Sequence, residues 1–271
     1  MKRVNPQLGQ LEMRFFTWVQ FKNKTQVRQG DIGDALGITP KQERELLSRL
    51  SRRGLILRIQ RGFYIVPPKL PPGGQWQTNE LIVADILMQE KKALYQIGGP
   101  WAFHFYRWDD QTPNAVYVYN DKISGERKIG GLVYYFLKIP RKRLGGTQMI
   151  TIANTIKIPV ASPARTLMDA VYDWDRYNTL PRAYDWIRNK SGDKKFITQL
   201  ADMAIRYGNI GTRRRIGYCL ETCGSSTKTV QKLKKNISSS SSFIPWIPGR
   251  PMKGTINRKW GLIINAENHD E

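Results

Sequence analysis

The chain has 271 residues, enough for a full hydrophobic core and for two domains. Its 44 Lys and Arg residues outnumber 22 Asp and Glu, and the resulting net charge of +22 favours a polyanionic partner. No run approaches the roughly 18 apolar residues of a membrane span, the N-terminus has no apolar signal-peptide core, and the two cysteines imply no disulfide framework. These features predict a cytoplasmic protein and argue against membrane and secreted classes.

Residues 1–66 have the pattern of a winged helix-turn-helix domain, with three helices followed by a β-hairpin. The third helix carries the clearest signal. Thr39 can cap it, Pro40 fits its first position and Gln42 lies where a capping-box partner belongs. Gly54 marks its end. The other predicted elements are helices over residues 5–19 and 31–36 and hairpin strands over 55–59 and 63–66.

The predicted third helix has one apolar face and one basic face. Leu46, Leu47 and Leu50 cluster on one side at helical spacing, which predicts the core side. The opposite side has the polar and basic groups that a helix needs to read base edges in the major groove of DNA. A solvated basic face is the alternative, but the turn, the capping box and the basic hairpin turn all favour DNA binding. The predicted DNA-binding residues are Lys41, Arg44, Glu45, Ser48, Arg49, Arg52, Arg53, Arg58, Gln60 and Arg61.

A proline- and glycine-rich linker over residues 67–78 is the predicted domain boundary. After it, we predict a mixed α/β C-terminal domain over 79–271, which makes the whole chain α+β. The first half of this domain is β-rich. The predicted elements are helices over 79–92 and 101–107, strands over 93–97, 115–119 and 132–139, and a hairpin over 149–152 and 155–160 with Asn154 near its turn.

The second half of the C-terminal domain is predicted to be helical. Ser162 caps a helix that begins at Pro163 and runs to about Tyr172. Ser238–Ser242 is predicted to be a flexible serine run. Further helices are predicted over 180–188, 194–207, 212–223 and 227–236. The extended segments 243–246 and 259–265, which include Trp260, are too apolar to remain in water, and we expect them to dock on the domain's sheet.

Two residue pairs in this domain need an interpretation. Arg165 and Asp169 are spaced to meet on one helix face, and we interpret them as a scaffold for a helix–sheet junction rather than a partner contact. Cys219 and Cys223 have a spacing that suits two metal ligands. Because both histidines are far away in sequence, we expect unremarkable thiols instead.

Several segments, in order, carry a family resemblance. The strongest is 158–169, IPVASPARTLMD, which is similar to a strand followed by a Ser-x-x-Arg-Thr-Leu-x-Asp helix start. The others are 57–64, LRIQRGFY; 95–102, YQIGGPWA; 204–209, AIRYGN; 216–221, IGYCLE; and 257–265, NRKWGLIIN. Through them, most of the chain resembles the AbiEi family, the antitoxins of AbiE (type IV) toxin–antitoxin and phage abortive-infection systems.

This resemblance implies two functions. The N-terminal domain would bind inverted repeats in the promoter of its own operon and repress transcription. The C-terminal domain would counter a toxin of the nucleotidyltransferase class, without a stable complex with it. The resemblance implies no catalytic residue, and we expect neither a cofactor nor a bound metal.

Two other functions are compatible with parts of the sequence. A DNA-reading domain can be fused to a metal-dependent nuclease, and Glu126-Arg127-Lys128, downstream of Asp109-Asp110, faintly imitates such a site. Ser124-Gly125 argues against it, because it predicts a turn rather than a strand at that place. A stand-alone transcriptional regulator without a toxin is the other alternative.

The positive charge is spread over the chain, at +8 in residues 1–66, +5 in 67–160 and +9 in 161–271. This distribution suggests a second nucleic-acid surface, in which basic side chains lie near aromatic rings. A solvated basic face above core aromatics explains the same pattern equally well. The residues of this second surface would be Arg213, Arg214, Arg215, Lys232, Lys234 and Lys235.

Overall fold

The computed structural model describes residues 8–70, 76–153, 155–237 and 242–265. The predicted hairpin turn at Asn154, and parts of the predicted linker and serine run, lie outside these residues. The chain is α+β and divides into two compact units. The first takes the residues up to Lys91 together with Glu126–Tyr134, and the second takes Lys92–Gly125 and the residues from Tyr135 onward. This division lies later in the chain than the predicted linker.

The N-terminal part of the first unit has three helices and a small sheet before a fourth helix, within the described residues. The central strand of the sheet, β3, pairs antiparallel with β1 and β2. Strand β1 has only three residues and was not predicted. The elements are α1 (Gln10–Phe21), β1 (Gln26–Arg28), α2 (Gly33–Leu36), α3 (Pro40–Arg52), β2 (Leu57–Gln60), β3 (Phe63–Ile65) and α4 (Glu80–Glu90).

Helix α3 begins where the sequence predicted. The Thr39 hydroxyl accepts a hydrogen bond from the Gln42 backbone N–H at 3.3 Å, and the Gln42 side chain accepts one from the Thr39 backbone N–H at 2.8 Å. This reciprocal pair is the capping box that the spacing indicated. At the other end Gly54 has φ of 71°, a left-handed conformation that glycine adopts without steric cost.

The core of this part is formed where the apolar faces of the helices meet the sheet. Phe15 of α1 and the predicted leucines of α3 are fully buried. Burial of such side chains stabilises the fold by about 1.5–3 kcal/mol each. The remaining core residues are Phe16, Val19, Val27, Ile32, Leu36, Leu55, Ile56, Tyr64 and Val66.

In the rest of the chain, strands predominate up to Ala161 and helices predominate after it. Most elements lie close to their predicted bounds, because caps and apolar periodicity mark their ends. The elements are β4 (Tyr95–Gly98), α5 (Pro100–Phe105), β5 (Ala115–Asn120), β6 (Gly125–Ile129), β7 (Leu132–Lys138), β8 (Thr147–Ile152), β9 (Ile156–Ala161), α6 (Pro163–Tyr172), α7 (Trp174–Tyr177), α8 (Arg182–Asn189), α9 (Lys194–Tyr207), α10 (Ile210–Thr222), α11 (Thr227–Lys235), β10 (Ile244–Pro245), β11 (Thr255–Asn257) and β12 (Leu262–Ile264).

Within the second unit, strands β5, β4, β9 and β8 of the large sheet are neighbours in that order, with β8 at the end of the sheet. Strand β4 pairs antiparallel with β5 and parallel with β9. Strand β8 pairs antiparallel with β9 from Thr147↔Ala161 to Ile152↔Ile156. Residues 126–129, for which the sequence suggested a turn, instead form most of strand β6 and cluster with the first unit.

The predicted docking of the C-terminal segments on this sheet is wrong. Strands β10, β12 and β11 form a separate three-stranded sheet, in that order. Trp260 is buried with the helices, and its ring lies on Gly217 of α10, where an added Cβ would approach a ring carbon to 2.1 Å. The absence of a side chain at Gly217 is what allows the indole to pack on the helix surface.

Candidate nucleic-acid interface

The outward face of α3 is polar, basic and exposed. Its side chains lie opposite Leu46, Leu47 and Leu50, which are at most 1% exposed. Within the described part of the chain, the side chains on this outward face form no hydrogen bond or ion pair, so their donors are available to a ligand. They are Lys41, Arg44, Glu45, Ser48 and Arg52.

Two further arginines of this region are held by a carboxylate of α1. Arg49 Nε lies 3.0 Å from Glu12 Oε1, and Arg53 Nη1 lies 2.6 Å from Glu12 Oε2. Glu12 is only 3% exposed. Burial raises the pKa of Glu12, but hydrogen bonds from Arg53, the Gly9 backbone and Arg49 outweigh it and hold the pKa below its ordinary value. Arg49 and Arg53 are therefore oriented by the fold.

A second carboxylate holds the backbone segment that directly precedes α2. Glu43 lies on the buried side of α3, where its Oε1 accepts hydrogen bonds from the Gly30 backbone N–H at 2.9 Å and the Ile32 backbone N–H at 3.2 Å. Sequence reasoning missed both Glu12 and Glu43. The available signal was an acidic residue on an otherwise apolar helix face, which needs buried donors.

The β2–β3 hairpin presents a short basic edge. Arg58 and Arg61 are exposed, and Gln60 is half-buried. Gly62 has φ of 71°, which the tight turn requires. At the base of the sheet, Arg28 lies over the Phe63 ring at 4.2 Å and pairs with Glu90. These contacts of Arg28 hold β1 against β3, the strand that follows the hairpin turn.

The comparison with protein families gives a match in this region. Residues 22–67 match the family described as "Transcriptional regulator, AbiEi antitoxin". The AbiEi match supports a DNA-binding antitoxin that acts in transcription regulation, and it covers β1 to the end of the hairpin.

A comparison with curated proteins found no match. Among solved structures, the chain is similar to the crystal structure of the RV2827C protein from Mycobacterium tuberculosis. The TM-score is 0.63 at 13% sequence identity, over 96% of this chain and 92% of that chain. This likeness concerns the fold alone.

The second basic surface predicted outside the AbiEi segment does not form. Arg214 and Arg215 are only 3% and 8% exposed. Arg214 donates to the Ser242 carbonyl at 2.9 Å and Arg215 to the Pro245 carbonyl at 3.1 Å. Arg213 donates to the carbonyls of Ala204, Ile205 and Asn236. The prediction is wrong for these arginines because Arg214 and Arg215 are buried and all three hold backbone carbonyls of their own unit.

The lysines predicted with those arginines lie on α11 and are exposed. Lys232 pairs with Asp202, and Lys234 donates to the Lys259 carbonyl. Lys235 is the remaining member of the predicted set. This ion pair and this hydrogen bond lie on the surface of the second unit. They do not form a basic patch with the buried arginines.

The Arg165–Asp169 pair is a structural scaffold, as interpreted from the sequence. Arg165 Nε lies 2.8 Å from Asp169 Oδ2, and both side chains are buried. Arg165 Nη1 donates to the carbonyls of Arg143 and Gly145, and the guanidinium lies 4.5 Å from the Tyr207 ring centre. The pair thus joins α6 to the loop before β8 and to α9.

Over the described ranges, no group of three or more His, Cys, Asp or Glu residues is placed to hold a metal ion. In the same part of the chain, helices are too short or too polar to cross a lipid bilayer. Cys219 is buried, and its thiol lies 3.8 Å from the Tyr184 carbonyl oxygen.

Proposed function

We propose that residues 1–66 are a winged helix that binds operator DNA, with α3 in the major groove and the β2–β3 hairpin on the phosphate backbone. The observation that supports this most is the exposed basic face of α3, whose side chains have no partner among the described residues. It lies within the AbiEi match and begins at a capping box that fixes the helix start.

The two groups of basic residues would have different tasks. Lys41, Arg44 and Arg52 have free donors on the helix and can reach base edges, where a bidentate arginine recognises guanine. Arg58 and Arg61 of the hairpin, together with the oriented pair Arg49 and Arg53, would contact phosphates, which position a protein on DNA. Glu45, Ser48 and Gln60 supply the remaining polar contacts.

In this proposal the operator consists of inverted repeats in the promoter of the protein's own operon, and binding represses transcription. The second unit counters a nucleotidyltransferase toxin in the cytoplasm, without a stable complex. The support for the toxin partner is the family resemblance, and the support for DNA binding is the geometry of α3 together with the matched segment.

Binding of the full chain to the DNA upstream of its gene tests the DNA-binding function. Fluorescence anisotropy across a salt series would compare this duplex with a scrambled one. We expect preferential binding that weakens when Arg52 and Arg61 are both replaced by alanine. Lys228→Ala/Lys235→Ala, at two exposed residues of α11, removes the same charge and should bind as the parent does. Equal, steeply salt-dependent binding to both duplexes would contradict an operator.

A separate experiment tests the antitoxin function. A nucleotidyltransferase toxin of the AbiE class would be co-expressed with the parent chain or with the Arg52→Ala/Arg61→Ala variant. Both should restore growth if the second unit neutralises the toxin independently of DNA binding. Failure of the parent chain to restore growth would favour the alternative of a regulator without a toxin.

A further inference from the structure

The sheet of the second unit ends in an edge strand that lacks the usual protection. Strand β8 is the last strand in the order and pairs with β9 on one side. Its sequence, TQMITI, has neither a charge nor a proline, and its register with β9 has no bulge. Natural proteins commonly blunt such edges with lysine, proline, bulges or very short strands. A regular, uncharged edge of six residues is therefore a template for strand addition.

The outer side of β8 is accessible. Most of its residues are exposed, and Met149 is 56% exposed. Ile150 and Ile152 are half-buried on the opposite side of the strand, since side chains alternate. Among the described strands, β8 pairs with β9 alone, so its outer backbone edge is not paired with another strand. An added strand would thus gain backbone hydrogen bonds and an apolar contact on each face.

The other edges of the small sheets differ from β8. Strands β10 and β11 have two and three residues, and β1 has three. Strand β2 has four and carries Arg58 within the proposed DNA-binding surface. Such short edges offer few backbone groups to a partner, which leaves β8 as the long regular edge among those compared.

The charge around β8 indicates the chemistry of the partner. Residues 135–168 contain six basic residues and no acidic residue. Arg143 and Arg165 face Asp169 and Arg141 pairs with Asp121, so Lys138, Lys142 and Lys157 are the cations left without a carboxylate partner there among the described residues. Arg141 and Lys142 precede the strand and Lys157 lies opposite Thr151 near its end, and all three basic side chains are exposed. A second copy of β8 would bring like charges together at both ends. An acidic extended segment would place carboxylates there instead.

We propose that β8 is a docking site for an extended protein segment with acidic ends, which adds to the sheet as a strand next to β8. Backbone hydrogen bonds would supply the pairing, and the contacts with Met149, Ile150 and Ile152 would favour alternating apolar side chains. The basic residues beside the strand would select acidic ends and speed encounter.

The test uses the full chain and a set of short synthetic peptides. They share an alternating valine–threonine core and differ in having acidic, neutral or basic ends. We expect the acidic peptide to bind best, and N-methylation of its alternate amides to abolish binding. Met149→Asp should weaken binding by about tenfold or more, since it places a carboxylate on the edge. Met252→Asp, at a residue 58% exposed outside the large sheet, is the matched control.

Several results would overturn the proposal. Failure of all the peptides to bind would do so, as would binding that survives both N-methylation and Met149→Asp, because the attraction would then be charge alone. Self-association that Met149→Asp abolishes would assign the edge to a second copy. A further outcome concerns single-stranded DNA. If it displaces the acidic peptide and binds the Met149→Asp variant as tightly as the parent chain, the basic residues bind nucleic acid and not a protein segment.

Discussion

Arg53 Nη1 lies 2.6 Å from Glu12 Oε2, and this ion pair joins the end of α3 to the first turn of α1. The same carboxylate also binds Arg49. One buried acidic group thus fixes two of the cations proposed to contact DNA. Because the arginines are oriented before DNA arrives, less side-chain entropy is lost on binding.

Glu12→Gln should destabilise the protein at neutral pH by about 1–3 kcal/mol, since Arg49 and Arg53 lose the buried carboxylate that accepts their hydrogen bonds. The pKa of Glu12 is lowered in the folded state, so its contribution is present above the unfolded-state pKa and is lost as pH falls through the folded-state pKa. Urea denaturation should show a smaller difference between parent and variant at acid pH. Glu45→Gln, at an exposed and unpaired site, should show no such pattern.

Arg52→Ala should reduce operator binding and relax sequence preference. The side chain is exposed on the face of α3 that we propose enters the major groove, and loss of one good base contact costs about 1–3 kcal/mol. The measurement is anisotropy with operator variants and with scrambled DNA. An equal loss of affinity for operator and scrambled DNA would contradict the assignment of Arg52 to the major groove.

Arg61→Ala should weaken binding to all sequences to a similar degree. Arg61 lies in the hairpin turn, where it would contact phosphate, and one lost phosphate contact lowers the salt slope by about one. The measurement is the binding affinity over a range of salt concentrations, and the slope of log affinity against log salt concentration gives the number of phosphate contacts. An unchanged slope, or a loss confined to the operator, would contradict the phosphate assignment.

Gly217→Ala should destabilise the second unit, because the added Cβ would approach the Trp260 ring to 2.1 Å. Overpacking of this kind costs about 1–3 kcal/mol. Thermal unfolding followed by circular dichroism is the measurement. Gly192→Ala is the control, since a Cβ there meets no atom within 4 Å. A Gly217 variant as stable as the control would show that Trp260 can move at little cost.

Asp173→Asn should stabilise the protein at pH 7.5. Burial, with a contribution from Asp169, raises the pKa of Asp173 to about 6. A raised carboxylate pKa means that the folded state prefers the protonated form. Ionisation of Asp173 therefore costs stability, in full above about pH 6. This cost diminishes as the pH falls from about 6 toward the pKa of the unfolded state. The gain in Tm should therefore shrink at pH 4.5. Asp175→Asn, at an exposed residue of α7, is the control.

Local chemistry explains how much of the fold could be predicted. The capping box of Thr39 and the Ser162 cap, whose hydroxyl accepts from the Arg165 N–H at 3.3 Å, mark helix starts within a few residues. The leucines of α3 separate its buried face from the face proposed to bind DNA. Such signals require only neighbours along the chain.

Contacts between distant residues explain what could not be predicted. Arg214 and Arg215 have a sequence typical of a solvated basic run, yet their acceptors lie about thirty residues later, at Ser242 and Pro245. Glu12 and its arginine partners are separated by 37 and 41 positions. No periodicity reports such distances. Short strands such as β1 also cannot be predicted from the sequence, since three residues are too few to show an alternation of apolar and polar side chains.

The buried arginines of α10 have a consequence for protein engineering. A chain shortened to end before Ser242 would leave the guanidinium groups of Arg214 and Arg215 without these carbonyl acceptors and would strip Trp260 from the helices. Its second unit would expose apolar surface and aggregate. Affinity tags and fusion partners should accordingly be placed after Asn265, whose buried side chain bonds to the backbone of Ile247 and Pro251.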